Sequence, residues 1–152
     1  FGLIKVNDEP FVIEYNCRMG DPETELVMPR LKTDLVELFM AVENGELDTI
    51  SVDMDPRACA TIVAVSGGYP GDYVKGKEIS LPSAYSSDSI LFHAGTKLSD
   101  SGERVLTNGG RVLAVSSYGN TIQQAVESSK VLLKEIQFDG MNYRSDIGYE
   151  FK

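Results

Sequence analysis

Two cysteines and one histidine are all the thiol and imidazole ligands that 152 residues provide. Cys17 and Cys59 lie far apart, with no C-x-x-C spacing and no second histidine beside His93. A zinc site and a disulfide framework are therefore not expected, and the scarcity of thiols points to a reducing, cytoplasmic compartment. Basic residues are also few, 14 against 23 acidic ones, for a formal charge of −9. That balance argues against nonspecific nucleic-acid binding and against an anionic membrane surface. It leaves open a small anionic ligand held by a few local arginines. No apolar run approaches the roughly 18 residues of a membrane span, and nothing has the layout of a signal peptide. Internal repeats and low-complexity tracts are missing too. What is present is 42% hydrophobic and 24% charged, the composition of a soluble globular chain. Its length suits one domain with a real core, or one domain plus part of another. Phe1 already sits in an apolar run, which suggests a piece of something longer.

Residues 2–6, GLIKV, and 11–16, FVIEYN, flank the turn formers of NDEP and predict a β-hairpin. Alternation puts Phe11, Ile13 and Tyr15 on one face, and Val12, Glu14 and Asn16 on the other. GDPETE then reads as a helix start, with Asp21 as N-cap and Pro22 in the first helical position. From Thr33 the spacing of Leu35, Leu38, Phe39 and Val42 predicts a helix with one apolar face, stopped by Gly45. Residues 46–56 are acidic and turn-rich, a candidate boundary between two units.

After Arg57 the texture becomes β. CATIVAVSG is a nearly unbroken apolar strand, shorter candidates follow at 77–81 and 90–93, and the Asn-Gly of TNGGR signals a hairpin turn. A closing helix is expected over about 121–137. Ile122, Ala125, Val126, Ser129, Leu132, Leu133 and Ile136 share its inner face, and Thr121 with Gln124 forms a capping box. The fold class is α+β: a short α/β tail joined to a mostly antiparallel β domain with a closing helix.

Chemistry concentrates in FVIEYNCRMGDPETE. Period-2 spacing sets Glu14 and Asn16 on one face, their bases roughly 6–7 Å apart. A carboxylate and an amide oxygen are hard donors that suit Mg²⁺, which commonly takes one or two protein oxygens plus phosphates. Arg18, two residues on, could set a fixed cation beside a phosphoryl or carboxylate group. The bland alternative is a solvated strand edge with Arg18 paired to Glu14 or Glu23. The triplet alone favours that alternative.

The continuation changes the balance. VIEYNCRMGDPETE closely resembles a characteristic segment of the phosphoribosylamine–glycine ligase family, ATP-grasp enzymes of purine synthesis. KTDLVELFMAVENGEL, SGGYPGDY, FHAGTK, VLTNGGRVLAVSSYGNTIQQA and YRSDIGY resemble successive blocks of the same family in the same order. The resemblance implies residues 1–26 as the end of an ATP-grasp core, 27–56 as a connecting helix and linker, and 57–152 as the family's C-terminal domain. That domain would be of barrel-sandwich, hybrid-motif-like type. It further implies that Glu14 and Asn16 are ligands of Mg²⁺ (or Mn²⁺) holding the nucleotide phosphates. Arg18 would be the catalytic cation beside the reacting anion. Asp21 would either contact substrate or cap its helix. Many ATP-grasp members carry a further metal-binding Glu on the preceding strand, where GLIKV offers only Lys5, so the number of metal ions stays open. ATP, glycine and phosphoribosylamine are the implied small molecules, and the missing upstream domains are the implied partner. About 270 residues are expected before Phe1, carrying the nucleotide-binding lysines and a glycine-rich lid, so this chain alone is not expected to ligate. Two other readings remain: a different ATP-grasp carboxylate–amine ligase, and a noncatalytic interaction module.

Other candidates receive structural expectations. His93 is read as structural or interfacial. SGGYPGDY is read as turns, since it lacks the Lys-Ser/Thr ending of a phosphate loop. Lys97 and Arg111 are read as solvated charges, with proximity to a substrate phosphate as the alternative. Cys17 is read as a buried structural thiol.

Overall fold

The computed structural model describes residues 1–20 and 22–151. The chain opens with an antiparallel hairpin, β1 (Gly2–Val6) and β2 (Glu9–Glu14). Its turn is the two residues Asn7 and Asp8, at φ 50° and 67°, rather than the four of NDEP. Asn and Asp tolerate this left-handed backbone, which matches the twist of the flanking strands. Pairing then starts at Glu9 and takes in Pro10, opposite Lys5. Both faces stay open to solvent: Leu3, Ile4, Phe11, Val12 and Ile13 are all about half exposed or more.

Helix α1 spans Thr24–Arg30, two residues later than Pro22 predicts. The Asp21 N-cap and substrate readings lie outside the described residues. Helix α2 spans Leu35–Asn44, capped by the Asp34 side chain on the Val36 N–H at 2.8 Å and ended by Gly45 at φ 71°. Its limits follow the sequence, but its apolar face does not behave as expected. Phe39 and Val42 are exposed, with Val36 and Met40 beside them, and only Ala41 is buried.

The larger unit is a three-stranded antiparallel sheet in the order β3–β7–β4, comprising Ala58–Val65, Arg111–Gly119 and Ser89–His93. The register pairs Ile62 with Val115 and Ala60 with Ser117. A second, two-stranded sheet joins β5 (Thr96–Leu98) to β6 (Val105–Thr107). Residues 77–81 form no strand and contribute only single bridges, Glu78 to Leu106 and Ser80 to Gln137. TNGGR is not a hairpin turn either, because β6 and β7 belong to different sheets. Asn108–Gly110 is a crossover: the Asn108 N–H donates to the Gly95 carbonyl at 2.7 Å and the Gly110 carbonyl accepts from Ser66 N–H at 2.8 Å. The glycines are needed for close approach, since a Cβ on Gly95 would stand 2.6 Å from Gly109 Cα.

Helix α3 (Ile122–Lys134) closes one face of the three-stranded sheet. Thr121 Oγ1 accepts from Gln124 N–H at 3.2 Å, while Gln124 Oε1 reaches back to the Asn120 N–H at 3.0 Å, a capping box displaced by one residue. Ala125, Val126, Ser129, Leu132, Leu133 and Ile136 are all buried, packed on Ala60, Ile62, Leu113 and Val115. Ser129 Oγ donates to the Ala60 carbonyl at 2.9 Å, satisfying the one hydroxyl on that face.

Helix α1 occupies the opposite face of β3 and β7. Pro29 has no N–H, so the Glu25 carbonyl four residues earlier lacks its helical donor. Ser116 Oγ on β7 fills that place at 2.6 Å. Thr61 Oγ1 lies 2.7 Å from Ser116 Oγ, and because the Ser116 proton is already committed, Thr61 is the donor there. Tyr118 Oη donates to the Pro29 carbonyl one turn further on. The C-terminal end of α1 is tied to the acidic stretch as well, through Arg30 to the Asp55 carbonyl at 3.0 Å and Asp55 N–H to the Arg30 carbonyl at 2.7 Å. Asp55 in turn pairs with Arg57, which reaches Asp88 at 2.7 Å and lies over the Tyr118 ring at 4.2 Å. These contacts anchor the segment that follows the hairpin on the β domain.

Candidate functional site

Glu14 ends β2, and Asn16 follows it beyond the last ladder pair. The structure brings the two side chains together: Asn16 Nδ2 lies 3.2 Å from Glu14 Oε1, and both residues are exposed. Turning the amide over would set its oxygen beside the carboxylate, the arrangement in which both oxygens could face one hard cation. Opposite them Gly2 has no side chain, and a Cβ there would stand 2.8 Å from Glu14 Cγ. The small residue lets the carboxylate stem lie across β1. A regularity break between Gly2 and Leu3 marks the same place.

Arg18 pairs with neither Glu14 nor Glu23 among the described contacts. Its Nη1 donates to the Met19 carbonyl at 2.9 Å, which folds the guanidinium back along its own turn. Glu23 has a different task. Its Oε2 accepts from Gly20 N–H at 2.6 Å, while its own N–H donates to the Gly20 carbonyl at 3.0 Å. This reciprocal clasp ties Gly20 to Glu23 immediately after Arg18 and Met19, and sequence reasoning overlooked it. The E three residues after G in GDPE was the available signal. Glu14, Asn16, Arg18, Met19 and Glu23 line one open cavity of about 500 Å³.

Among the described residues no cluster of three or more His, Cys, Asp or Glu could hold a metal. The donor set at the end of β2 fits a hard cation by halves. One carboxylate and one amide oxygen suit Mg²⁺ if phosphate or water completes the shell. Cys17 is exposed, correcting the expectation of a buried thiol; the turn after β2 holds it at the surface. Cys59 is the half-buried one, and burial pushes its thiol pKa up, keeping it protonated and unreactive.

His93 ends β4 with Nδ1 3.1 Å from Thr96 Oγ1. It lines a larger cavity of about 710 Å³ between α1 and the sheet, together with Arg111, Glu25, Tyr69 and Tyr73. Lys97 is exposed on β5 and is not part of that lining.

Fold and site together define an α+β unit, an antiparallel sheet closed by one helix and joined to a hairpin that presents hard oxygen ligands and a cation. Residues 59–150 match the family model of the phosphoribosylglycinamide synthetase C domain, and the chain belongs to that family. A phosphoribosylamine–glycine ligase of Vibrio cholerae is 49% identical over 148 residues, covering 97% of this chain and 34% of its own length. The Salmonella typhimurium enzyme of the same name is 46% identical over the same span. The crystal structure of phosphoribosylamine–glycine ligase from Thermotoga maritima superposes with a TM-score of 0.74 at 32% identity, covering 95% of this chain and 35% of that one. The chain thus spans about a third of the length of these relatives.

Proposed function

We propose that these residues belong to an ATP-dependent ligase that joins glycine to phosphoribosylamine, releasing glycinamide ribonucleotide, ADP and phosphate. The observation that supports this best is the meeting of Glu14, Asn16 and Arg18 in one cavity at the end of β2. It occurs in a chain aligned along 97% of its length with ligases of that name.

The chemistry needs charge neutralisation and positioning more than covalent help. A carboxylate oxygen of glycine forms a bond to the γ-phosphorus, and the bond to ADP breaks. The amine nitrogen then bonds to the acyl carbon and gives up a proton, while phosphate leaves with the electron pair of the C–O bond. Mg²⁺, held by Glu14 and Asn16, would neutralise the nucleotide phosphates. Arg18 supplies a permanent cation for the reacting anion. The clasp between Glu23 and Gly20 fixes the chain that directly follows Arg18.

On this reading residues 1–26 end an ATP-grasp core, 27–56 connect, and 57–152 form the C-terminal domain of a cytoplasmic enzyme. The 152-residue chain holds only part of the site and is not expected to ligate alone. The test is ADP release by the full-length protein with each substrate omitted in turn. Release that requires ATP, glycine and phosphoribosylamine together supports the reading. Release with another amine in place of phosphoribosylamine overturns it.

A further inference from the structure

Helix α1 is joined to the cavity at the end of β2 by a stiff piece of chain. Arg18 and Met19 lead directly to Gly20, whose N–H the Glu23 carboxylate holds at 2.6 Å. The Glu23 carbonyl accepts in turn from Val27 N–H at 2.9 Å, so the clasp runs into the first turn of the helix. Where α1 lies, Arg18 must follow. The hairpin before it is open to solvent on both faces, and α1 is the element that packs on β3 and β7. Met19 marks the seating that results. It lines the cavity of Glu14, Asn16 and Arg18 and also the one floored by Phe92 and Ala114 of the sheet.

Two hydroxyls of β7 fix that seating. Ser116 and Tyr118 are one strand period apart on the same face, roughly 6–7 Å along the strand. Their acceptors, the carbonyls of Glu25 and Pro29, are four residues apart on α1, roughly 6 Å along a helix axis. Strand and helix repeats match over this interval. A single bond would let the helix swing about its contact, whereas two matched bonds stop both swinging and sliding. Thr61, opposite Ser116 in the ladder, donates to Ser116 Oγ at 2.7 Å and commits that hydroxyl to the Glu25 carbonyl. Arg57 lies over the Tyr118 ring at 4.2 Å and steadies it. Ser116 and Tyr118 line neither cavity, so whatever they do for the chemistry they do through α1.

We propose that Ser116 and Tyr118 are positioning residues for the ligation. Their two-point lock keeps the Arg18 segment seated against the β domain, so that the acyl phosphate meets the amine and not water. The inference rests on the ligase reading for the identity of that intermediate. An acyl phosphate reacts with whichever nucleophile reaches its carbon. If that is water, its oxygen bonds to the acyl carbon and phosphate leaves with the electron pair of the C–O bond. The proton goes to solvent, glycine is returned, and ATP is consumed without product. Shutting water out depends on close seating, and a displacement of about 1 Å can cost up to about 100-fold in rate.

The test measures ADP and glycinamide ribonucleotide together in the full-length protein, with glycine and phosphoribosylamine both present. Wild type should release them in equal amounts. Tyr118→Phe keeps the ring beneath Arg57 and removes only the hydroxyl. It should release about twofold or more ADP per product, with kcat for product down about two- to tenfold, the equivalent of one neutral hydrogen bond. Ser116→Ala should behave alike, and Ser116→Thr, which keeps a hydroxyl, should return the ratio to that of wild type. Partial unfolding lowers both products together and leaves their ratio alone, and thermal melts record its extent. Amide exchange by mass spectrometry on the same proteins gives a reading that needs no turnover. Exchange should quicken over residues 18–20 and 23–30 in Tyr118→Phe and stay unchanged over Ile122–Lys134. Equal ADP and product in every folded variant overturns the proposal, as does unchanged exchange over 18–20 and 23–30. A wild type that forms no glycinamide ribonucleotide refutes the ligase reading instead, and the exchange comparison still decides whether the two hydroxyls lock the segment.

Discussion

Ser116 on β7 donates its hydroxyl proton to the Glu25 carbonyl of α1 at 2.6 Å, the acceptor that Pro29 leaves without a helical donor. A proline that would merely shorten an isolated helix here creates the docking point for one. Ser116→Ala should cost about 1–3 kcal/mol, the range for leaving a partly buried acceptor unsatisfied. Pro29→Ala restores an N–H to compete for the same carbonyl, so Ser116→Ala should cost less in that background. Denaturant unfolding of the four chains of this cycle checks it, and equal losses in both backgrounds would refute the account.

The Gly20–Glu23 clasp predicts a split between activity and stability. A Cβ on Gly20 would stand 2.7 to 2.9 Å from the Glu23 carboxylate atoms, forcing the side chain off the N–H it holds at 2.6 Å. Gly20→Ala should lower kcat of the full-length ligase while moving its stability by less than about 1 kcal/mol, because the clasp lies at the surface. Glu23→Gln retains an acceptor and should keep most of the activity. Steady-state kinetics beside thermal melts would show the split.

Glu14 is exposed and makes no contact that the fold needs beyond Asn16. Glu14→Ala in the full-length ligase should therefore leave the melting curve in place and abolish Mg²⁺-dependent turnover. Normal turnover in that variant would refute the metal role of Glu14.

Acid should act most strongly through Asp55. The Arg57 guanidinium beside it lowers its carboxyl from 3.8 to about 2. The unfolded chain then takes up the proton before the native one, so the stability this pair contributes is complete above about pH 4. It is lost as pH falls toward 2. Asp139 and Asp146, lowered by Lys77 and Arg144, act in the same direction and cancel in a comparison with Asp55→Asn. The variant should be less stable than wild type at pH 6, with the difference shrinking as pH approaches 2. A difference that stays constant across that window would count against the assignment.

Two apolar residues with similar sequence signals should respond very differently. Leu133 is 1% exposed on α3, and Leu133→Ala should cost about 2–5 kcal/mol. Phe39 is 63% exposed on α2, and Phe39→Ser in the same 152-residue chain should cost less than about 1 kcal/mol. Paired urea titrations suffice to compare them.

That last contrast marks how far the sequence could be read. The inner face of α3, the Thr121 cap, the Gly45 stop and a reversal within NDEP were all legible, because capping, turn chemistry and helical spacing act over a few neighbouring residues. The candidate site was legible in part. Glu14 and Asn16 are a strand period apart and do meet. The Glu23 clasp was written in the same segment but overlooked. TNGGR misled for a physical reason, since Asn-Gly signals a reversal locally and says nothing about which sheet the next strand joins.

By itself, then, the sequence determined where α2 begins and ends, where α3 is capped, where the first hairpin reverses, and which residues carry hard oxygen ligands and cations. Only the tertiary structure decided which apolar faces are covered. It also set α1 on β7 through the carbonyl Pro29 frees, and brought His93 and Arg111 to one corner. Burial and convergence depend on partners dozens of residues away, and no local pattern encodes the distance between them.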